Sequence, residues 1–435
     1  MIIAKRLKGK AIATWLGPTG DAARRAVAGL RNQLTQEPRR LDLYFDVGDP
    51  WSYLVAQAAQ RLVDAYPVEI AVHVITPPAS DVDPQPVLRT KHAVRDARLL
   101  AEYWQLDFPS EKEADPGAVR EVGSALIRER PAKDQLRAAV ELTHAMWAND
   151  RKALAKLLGT WGTESTNSIA PILNANYGEL RKAGHYQGAM IHYAGEWYWG
   201  IDRLPYLEAQ LAKDAGREVA GVVARRADAE RGALPLSAKP EELRCEVWFS
   251  FRSPYSYLAL EQIEAIAGDM PLQLRPILPM VTRGLPMPTV KRMYIVRDAK
   301  READRLGIPF GELCDPVGRG VENCIALAHW AEQRGQQLAF ARSALRGIWA
   351  EARDMTEYVD LRHVVERAHL PWDEAKAALD TPEPLKWAKA NAADLAVIGL
   401  WGVPSFRCGD FVAWGQDRLP LLADRLRRHR LVNGA

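Results

Sequence analysis

The chain has 435 residues, of which 58 are Lys or Arg and 55 are Asp or Glu, a formal charge of +3. So even a balance offers no electrostatic argument for nucleic acid as a partner, and no run approaches the roughly 18 apolar residues of a transmembrane helix. The four cysteines, Cys245, Cys314, Cys324 and Cys408, form neither CxxC nor a metal-like cluster, which argues against a zinc site or a disulfide framework and fits a reducing, cytoplasmic compartment.

Residues 1–40 read as a basic leader, broken at Gly17-Pro18-Thr19-Gly20 and helical from Asp21 to Leu34. No long apolar core follows Lys5, Arg6, Lys8 and Lys10, so it is not read as a signal peptide. A strand over Leu41–Val47, a helix from Trp51 to about Ala65 and a strand over Val68–Ile75 then give a β-α-β order, which favours a parallel pair. From Pro84 to Ala183 the pattern is helical, with mixed-charge runs over Lys91–Tyr103, Lys133–Leu158 and Ile172–Lys182. Strands over Ala189–Tyr193 and Trp197–Trp199, a helix from Asp202 and a charged helix over Leu211–Arg231 lead to a linker at 232–243.

The same order returns. A strand over Glu246–Phe251, a helix over Tyr255–Ala267 and a strand over Leu272–Ile277 precede helices at Thr289–Leu306, Val321–Arg334, Gln337–Glu351, Leu361–Arg367, Trp372–Leu379 and Pro384–Leu395. A hairpin follows between Gly402 and Trp414, and Asp417 opens the last helix. Three paired signatures confirm a duplication. Leu41–Ala56 matches Cys245–Leu260 without a gap, Val94-Arg95-Asp96-Ala97 matches Val296-Arg297-Asp298-Ala299, and Trp199–Pro205 matches Trp414–Pro420. Their separations of 204, 202 and 215 positions are domain-sized. The expected organisation is a helical extension over 1–40, a divergent domain over 41–231, a linker over 232–243 and a better preserved domain over 244–435.

The pieces Phe249–Tyr257, Arg275-Pro276-Ile277-Leu278, Gly307-Ile308-Pro309-Phe310, Gly402–Phe406 and Trp414–Leu419 resemble the DsbA-like thioredoxin-fold superfamily. The likeness is to 2-hydroxychromene-2-carboxylate isomerases and kappa-class glutathione transferases in particular. The resemblance implies two tandem α/β thioredoxin-like domains, each with a helical insertion, and glutathione as cofactor. It places Ser253 against the cofactor's sulfur, Val403 and a cis Pro404 along its backbone, and Gln416 and Asp417 at its γ-glutamyl end. Residue chemistry alone allows each a second reading: Ser253, Gln416 and Asp417 as helix caps and Pro404 as a trans proline at a strand start. Tyr255, Lys291, Tyr294 and Arg297 are candidates for contacting an aromatic carboxylate. The last three share a helical face at three-residue spacing, which a solvated basic face would also display.

The first repeat departs at these positions. Asp49 stands at the place of Ser253, Met190 is expected at that of Pro404, and Ile201 at that of Gln416. That pattern suggests a retained scaffold with a lost thiol site. His185, His192 and Tyr193 have no metal-ligand spacing. The expected function is a glutathione-dependent isomerase or transferase acting on a small aromatic or electrophilic substrate. The alternatives are a thiol-disulfide oxidoreductase and a non-catalytic peptide-binding scaffold. The two repeats are expected to pair within one chain, and homo-oligomerisation stays open.

Overall fold

The computed structural model describes residues 12–17, 20, 22–27, 40–165, 169–224, 236 and 243–433. Two compact units are present, one within 23–232 and one within 233–435, the described residues before 23 belonging to the latter. Most of the expected leader and linker therefore lies outside the described residues.

The first unit is built on a four-stranded sheet. Its strands are β1 (Arg40–Asp46), β2 (Glu69–Ile75), β3 (Met190–Tyr193) and β4 (Glu196–Trp199), in the order β2-β1-β3-β4. β1 runs parallel to β2 and antiparallel to β3, so it is the central strand, and Leu41, Leu43 and Phe45 are fully buried. The crossover helix α1 (Pro50–Ala65) starts where expected because Pro50 fits a first turn and Asp49 caps it. Five helices form the insertion: α2 (Pro86–Trp104), α3 (Pro116–Leu126), α4 (Ala132–Trp147), α5 (Arg151–Trp161) and α6 (Ile169–Ala183). The run expected over Lys133–Leu158 is two helices, because Asn149 turns left-handed at φ 53° and the Asp150 side chain caps a new start by accepting from Ala153 N–H.

A second correction concerns Leu211–Arg231. The closing helix α7 (Leu204–Asp214) stops at Gly216, whose φ is +62°. The chain then folds back onto buried Glu208, which accepts from the N–H groups of Val222 and Val223 at 2.9 and 3.2 Å. Residues 225–231 lie outside the described part.

In the second unit, β5 (Cys245–Phe249), β6 (Leu272–Pro276), β7 (Ser405–Cys408) and β8 (Phe411–Trp414) repeat the topology as β6-β5-β7-β8. Helix α8 (Pro254–Ala267) crosses from β5 to β6. The insertion consists of α9 (Thr289–Leu306), α10 (Arg319–Glu332), α11 (Gln337–Ala350), α12 (Tyr358–Arg367), α13 (Trp372–Lys376) and α14 (Glu383–Val397). A single 3-10 turn over Gln416–Arg418 precedes α15 (Leu419–Asn433), as one over Ile201–Arg203 precedes α7. On one face of this sheet Trp248 packs with Ile277, Leu395 and Leu400. Buried Glu246 is held there by Arg275 at 2.6 Å and by Arg407. Burial opposes ionisation of that carboxyl, but the bonds from both arginines outweigh it and keep its pKa below the ordinary value. Among the described residues, no helix is long and apolar enough to cross a membrane.

Candidate functional site

At the start of α8, Ser253 takes extended backbone angles and its Oγ accepts from Ser256 N–H at 3.1 Å, as a helix cap does. One property survives that role. Among the described residues the hydroxyl donates only to the Val403 carbonyl, Oγ to O 3.5 Å, the outer limit of a hydrogen bond. Ser253 is half-buried, and the Val403–Pro404 peptide bond is cis. Two segments 150 positions apart, the helix start and the entry to β7, thus meet.

Arg252 fixes the approach to this corner with a bidentate pair to Asp315, both contacts at 2.7 Å. Behind it, Ser256 Oγ accepts from Ser250 N–H at 3.3 Å. Its counterpart Ser52 accepts from Asp46 N–H at 3.2 Å. The shared serine of the two opening signatures is therefore a strand-to-helix clamp.

The third paired signature also has a structural meaning. Tyr255 Oη donates to Asp298 Oδ2 at 2.7 Å, and at the same place in the first unit Trp51 Nε1 donates to Asp96 Oδ2 at 2.8 Å. Each acid is nearly fully buried and sits on the first insertion helix. The duplicated aspartate thus ties insertion to crossover helix in both copies. Tyr255, expected near substrate, has its hydroxyl committed to this tie.

Strand register corrects one expected equivalence. Met190 pairs with Trp199 as Ser405 pairs with Trp414, and Tyr44 faces Met190 as Trp248 faces Ser405. The residue matching Pro404 is therefore Ala189, not Met190. It adopts φ 53°, and unlike proline it has an N–H, which donates to Ser52 Oγ at 2.8 Å. Gly188 then matches Val403. A Cβ there would lie 2.9 Å from Asp46 Cβ and from Ser52 Oγ, so this corner of the first unit is closed.

The same corner of the first unit is strongly acidic. Asp46, Asp49 and Asp83 are all buried around Arg89. Asp49 Oδ2 accepts from Ser52 N–H and Oγ at 3.2 and 3.0 Å. Arg89 bonds Asp83 at 2.6 Å and lies 3.7 Å from Asp49 Oδ1. Burial, then the neighbouring Asp49, pushes the Asp46 carboxyl up to about 7, and burial also raises Asp49 against the pull of Arg89.

The remaining expected residues are placed as follows. Gln416 is buried and its amide donates to buried Glu302 Oε2 at 2.8 Å, while Asp417 beside it is half-buried. Lys291, Tyr294 and Arg297 are all on α9; Lys291 and Arg297 are half-buried, and Tyr294 is buried rather than on a solvated face. Arg297 lies 6.0 Å from the Trp15 ring. His185 is completely buried, stacked on Tyr186 and tilted against Trp197, and burial holds its pKa well below the usual histidine value. That makes it a core residue. Tyr53 and Tyr257 are buried too, with their hydroxyls bonded to His144 Nδ1 and to the Pro309 carbonyl. Glu302 and the Asp46–Asp83–Arg89 group were not anticipated, since their segments meet only in the folded chain.

Residues 244–427 match the DSBA-like thioredoxin domain. The protein is an α/β chain of two thioredoxin-like units, and the DSBA-like match falls on the one that contains Ser253. A solved 2-hydroxychromene-2-carboxylate isomerase is 22% identical, covering 44% of this chain and 97% of its own, with a TM-score of 0.39. The cytosolic disulfide reductase DsbM from Pseudomonas aeruginosa is 19% identical, covering 44% and 98%, at a TM-score of 0.36. Its structure with GSH gives 16%, 44%, 98% and 0.33. At these scores the likenesses carry no argument about activity. No curated protein matches the chain.

Proposed function

We propose that the DSBA-like unit binds one glutathione-class thiol beside Ser253 and acts as a glutathione-dependent isomerase or transferase on a small aromatic or electrophilic compound. The observation that carries this reading is the Ser253 hydroxyl. Its lone pair caps the helix while its proton is held only by a long bond to the Val403 carbonyl, Oγ to O 3.5 Å, which it can exchange for a stronger one to an anion. The N–H groups of the first helical turn favour negative charge at the same point. Val403 is half-buried and supplies backbone groups at a sheet margin, where an extended peptide-like ligand can pair.

Comparison between the repeats adds a cation. Counting back seven positions from Asp96 and from Asp298 reaches Arg89 and Lys291. Arg89 lies 3.7 Å from Asp49, the residue at Ser253's place. In the first unit a carboxylate of the protein itself fills the anion position opposite the helix-borne cation. In the second the position is held by a neutral hydroxyl, and Lys291 is the corresponding cation. When bound, the thiol would supply a nucleophile able to add to an electrophilic carbon and leave again. Ser253 and Lys291 would hold the negative charge on sulfur, and Gln416, anchored through Glu302, and Asp417 would line the far end. The compartment that suits this chemistry is the cytoplasm.

Thiol-disulfide exchange through the protein's own sulfur is the poorer reading. The residue capping the helix after the first strand is Ser253 or Asp49 in the two units, and all four cysteines are buried. Calorimetry with glutathione, with thiolate absorbance followed against pH, tests the proposal. One site per chain is expected. Loss of the Ser253 proton in Ser253→Ala should weaken thiolate stabilisation by about 1–3 kcal/mol and raise the cofactor's pKa accordingly. Two equivalent sites, no binding, or unchanged thiol ionisation in Ser253→Ala would overturn it.

A further inference from the structure

Cys245 and Cys408 are partners in the antiparallel register of β5 and β7. The kind of pair they form follows from the hydrogen bonds on the other side of β5. Cys245 N–H donates to Pro271 O at 2.9 Å, and Phe249 O accepts from Ile277 N–H at 2.8 Å. Both bonds run toward the β6 side. The backbone groups of Cys245, Val247 and Phe249 therefore face β6, and those of Glu246 and Trp248 face β7. Cys245 and Cys408 are consequently a non-hydrogen-bonded pair, the class in which opposed Cα atoms are closest, about 4.5 Å, with side chains leaning together. A disulfide needs Cα atoms about 4.4–6.8 Å apart, so this register accommodates one without moving the strands.

We propose that Cys245 and Cys408 are a covalent modification site: a dithiol that a small disulfide oxidant, such as oxidised glutathione, converts to a cross-strand disulfide. Three sulfurs meet here, since Cys408 Sγ lies 3.5 Å from Met270 Sδ. Both cysteines are fully buried, and the neighbouring Cys408 thiol, then burial, hold the Cys245 thiol well above the ordinary cysteine pKa. Reaction therefore proceeds through local opening. The position suits that, because Cys245 is the first residue of β5 and Cys408 the last of β7, bordering the exposed turn Gly409–Asp410. Cys408 thiolate attacks the oxidant's disulfide, one sulfur leaves as thiol, and a mixed disulfide forms. Cys245 thiolate then displaces the second sulfur. The protein gives up two protons and two electrons in total, and one disulfide becomes two thiols. The product joins the central strand to the strand that follows Val403–Pro404.

The test uses the complete chain, incubated with oxidised glutathione in buffer and in sub-denaturing urea, then alkylated and digested. Two of the four cysteines should escape alkylation, with loss of two hydrogens in intact mass and a reducible peptide pair joining Cys245 to Cys408. Oxidation should be faster in urea, and hydrogen exchange across β5 and β7 slower afterwards. Cys245→Ala should abolish the peptide pair; the wild-type map stands by itself if that variant does not fold. Four alkylatable thiols in both conditions, a link through Cys314 or Cys324, or a glutathione adduct that Cys245 never resolves would overturn the proposal.

Discussion

Replacing Asp46 by Asn should stabilise the first unit at neutral and alkaline pH and do little in acid. The carboxyl is 4% exposed and ends β1 facing Asp49, with Arg89 between Asp49 and Asp83. Burial, then the Asp49 charge, raises its pKa from 3.8 to about 7, outweighing Arg89 and the bond from Gly48 N–H. Between those values the folded state holds a proton that the unfolded chain has released, so stability falls as pH rises. At about 1.4 kcal/mol per pKa unit, a shift of roughly three units costs about 4 kcal/mol once both states are ionised. The proton belongs to the Asp46–Asp49 pair rather than to either residue alone. Asparagine retains an oxygen for Gly48 N–H and cannot ionise. The stability gap between Asp46→Asn and wild type should therefore widen by about 1.4 kcal/mol per unit from about pH 4 to pH 7 and then level off. Pulse-labelled hydrogen exchange along a urea series, read on β1 and α1 peptides, isolates this unit's transition, and comparison at equal pH cancels the intrinsic exchange rate. A gap that does not change with pH, or a less stable variant at pH 8, would refute the reasoning.

His185 should act in the opposite sense. Its pKa is depressed in the fold, so stability is lost as pH falls below the unfolded value of 6.5, and His185→Phe should flatten the acid limb of the first unit's urea midpoint against pH. Arg89→Met leaves Asp46, Asp49 and Asp83 without their shared cation and should cost about 3–5 kcal/mol in the same urea assay, whereas Lys291→Met should raise the pKa of bound glutathione. Tyr255→Phe removes only the hydroxyl that donates to Asp298 and should lower the second unit's stability by about 1.5–3 kcal/mol, measured by urea denaturation.

Much of the fold was legible because its signals are local. A proline one residue past Asp49 and Ser253 sets each helix start, and Pro288 precedes a helix found at its expected bounds, Thr289–Leu306. The break at Asn149-Asp150 was also written locally, as a left-handed turn residue followed by a cap, but the charged pattern ran across it. The misplaced equivalence had a signal as well. Carrying the closing signature back at its own separation of 215 sets Ala189, not Met190, against Pro404. What the sequence did not disclose is electrostatic. Asp46, Asp83 and Arg89 look like ordinary surface charges until tertiary packing buries them together. Gln416 reads as a lone polar residue in the sequence, and only the register of α9 supplies Glu302 as the anchor of its amide nitrogen.

On the proposed reading, the divergence of the two corners would keep one copy from substituting for the other. A thiolate 4 Å from an ionised Asp49 would be opposed by about 4 kcal/mol at an effective dielectric of about 20, close to a thousandfold in affinity. Arg89 is shared among Asp46, Asp49 and Asp83, so its single charge leaves the corner net negative. Changing Asp49 to Ser would not restore the site. Asp46 and Asp83 would stay behind, and Gly188, which has no room for a Cβ, would still close the backbone edge that Val403 leaves half-buried in the other unit. The internal carboxylate and the closed edge are therefore two separate barriers to a ligand. In the second unit neither is present, while the opening helix, its serine clamp and the aspartate tie to the insertion are retained. On the proposed reading, the repeat with a neutral donor is the one in which an external anion would sit.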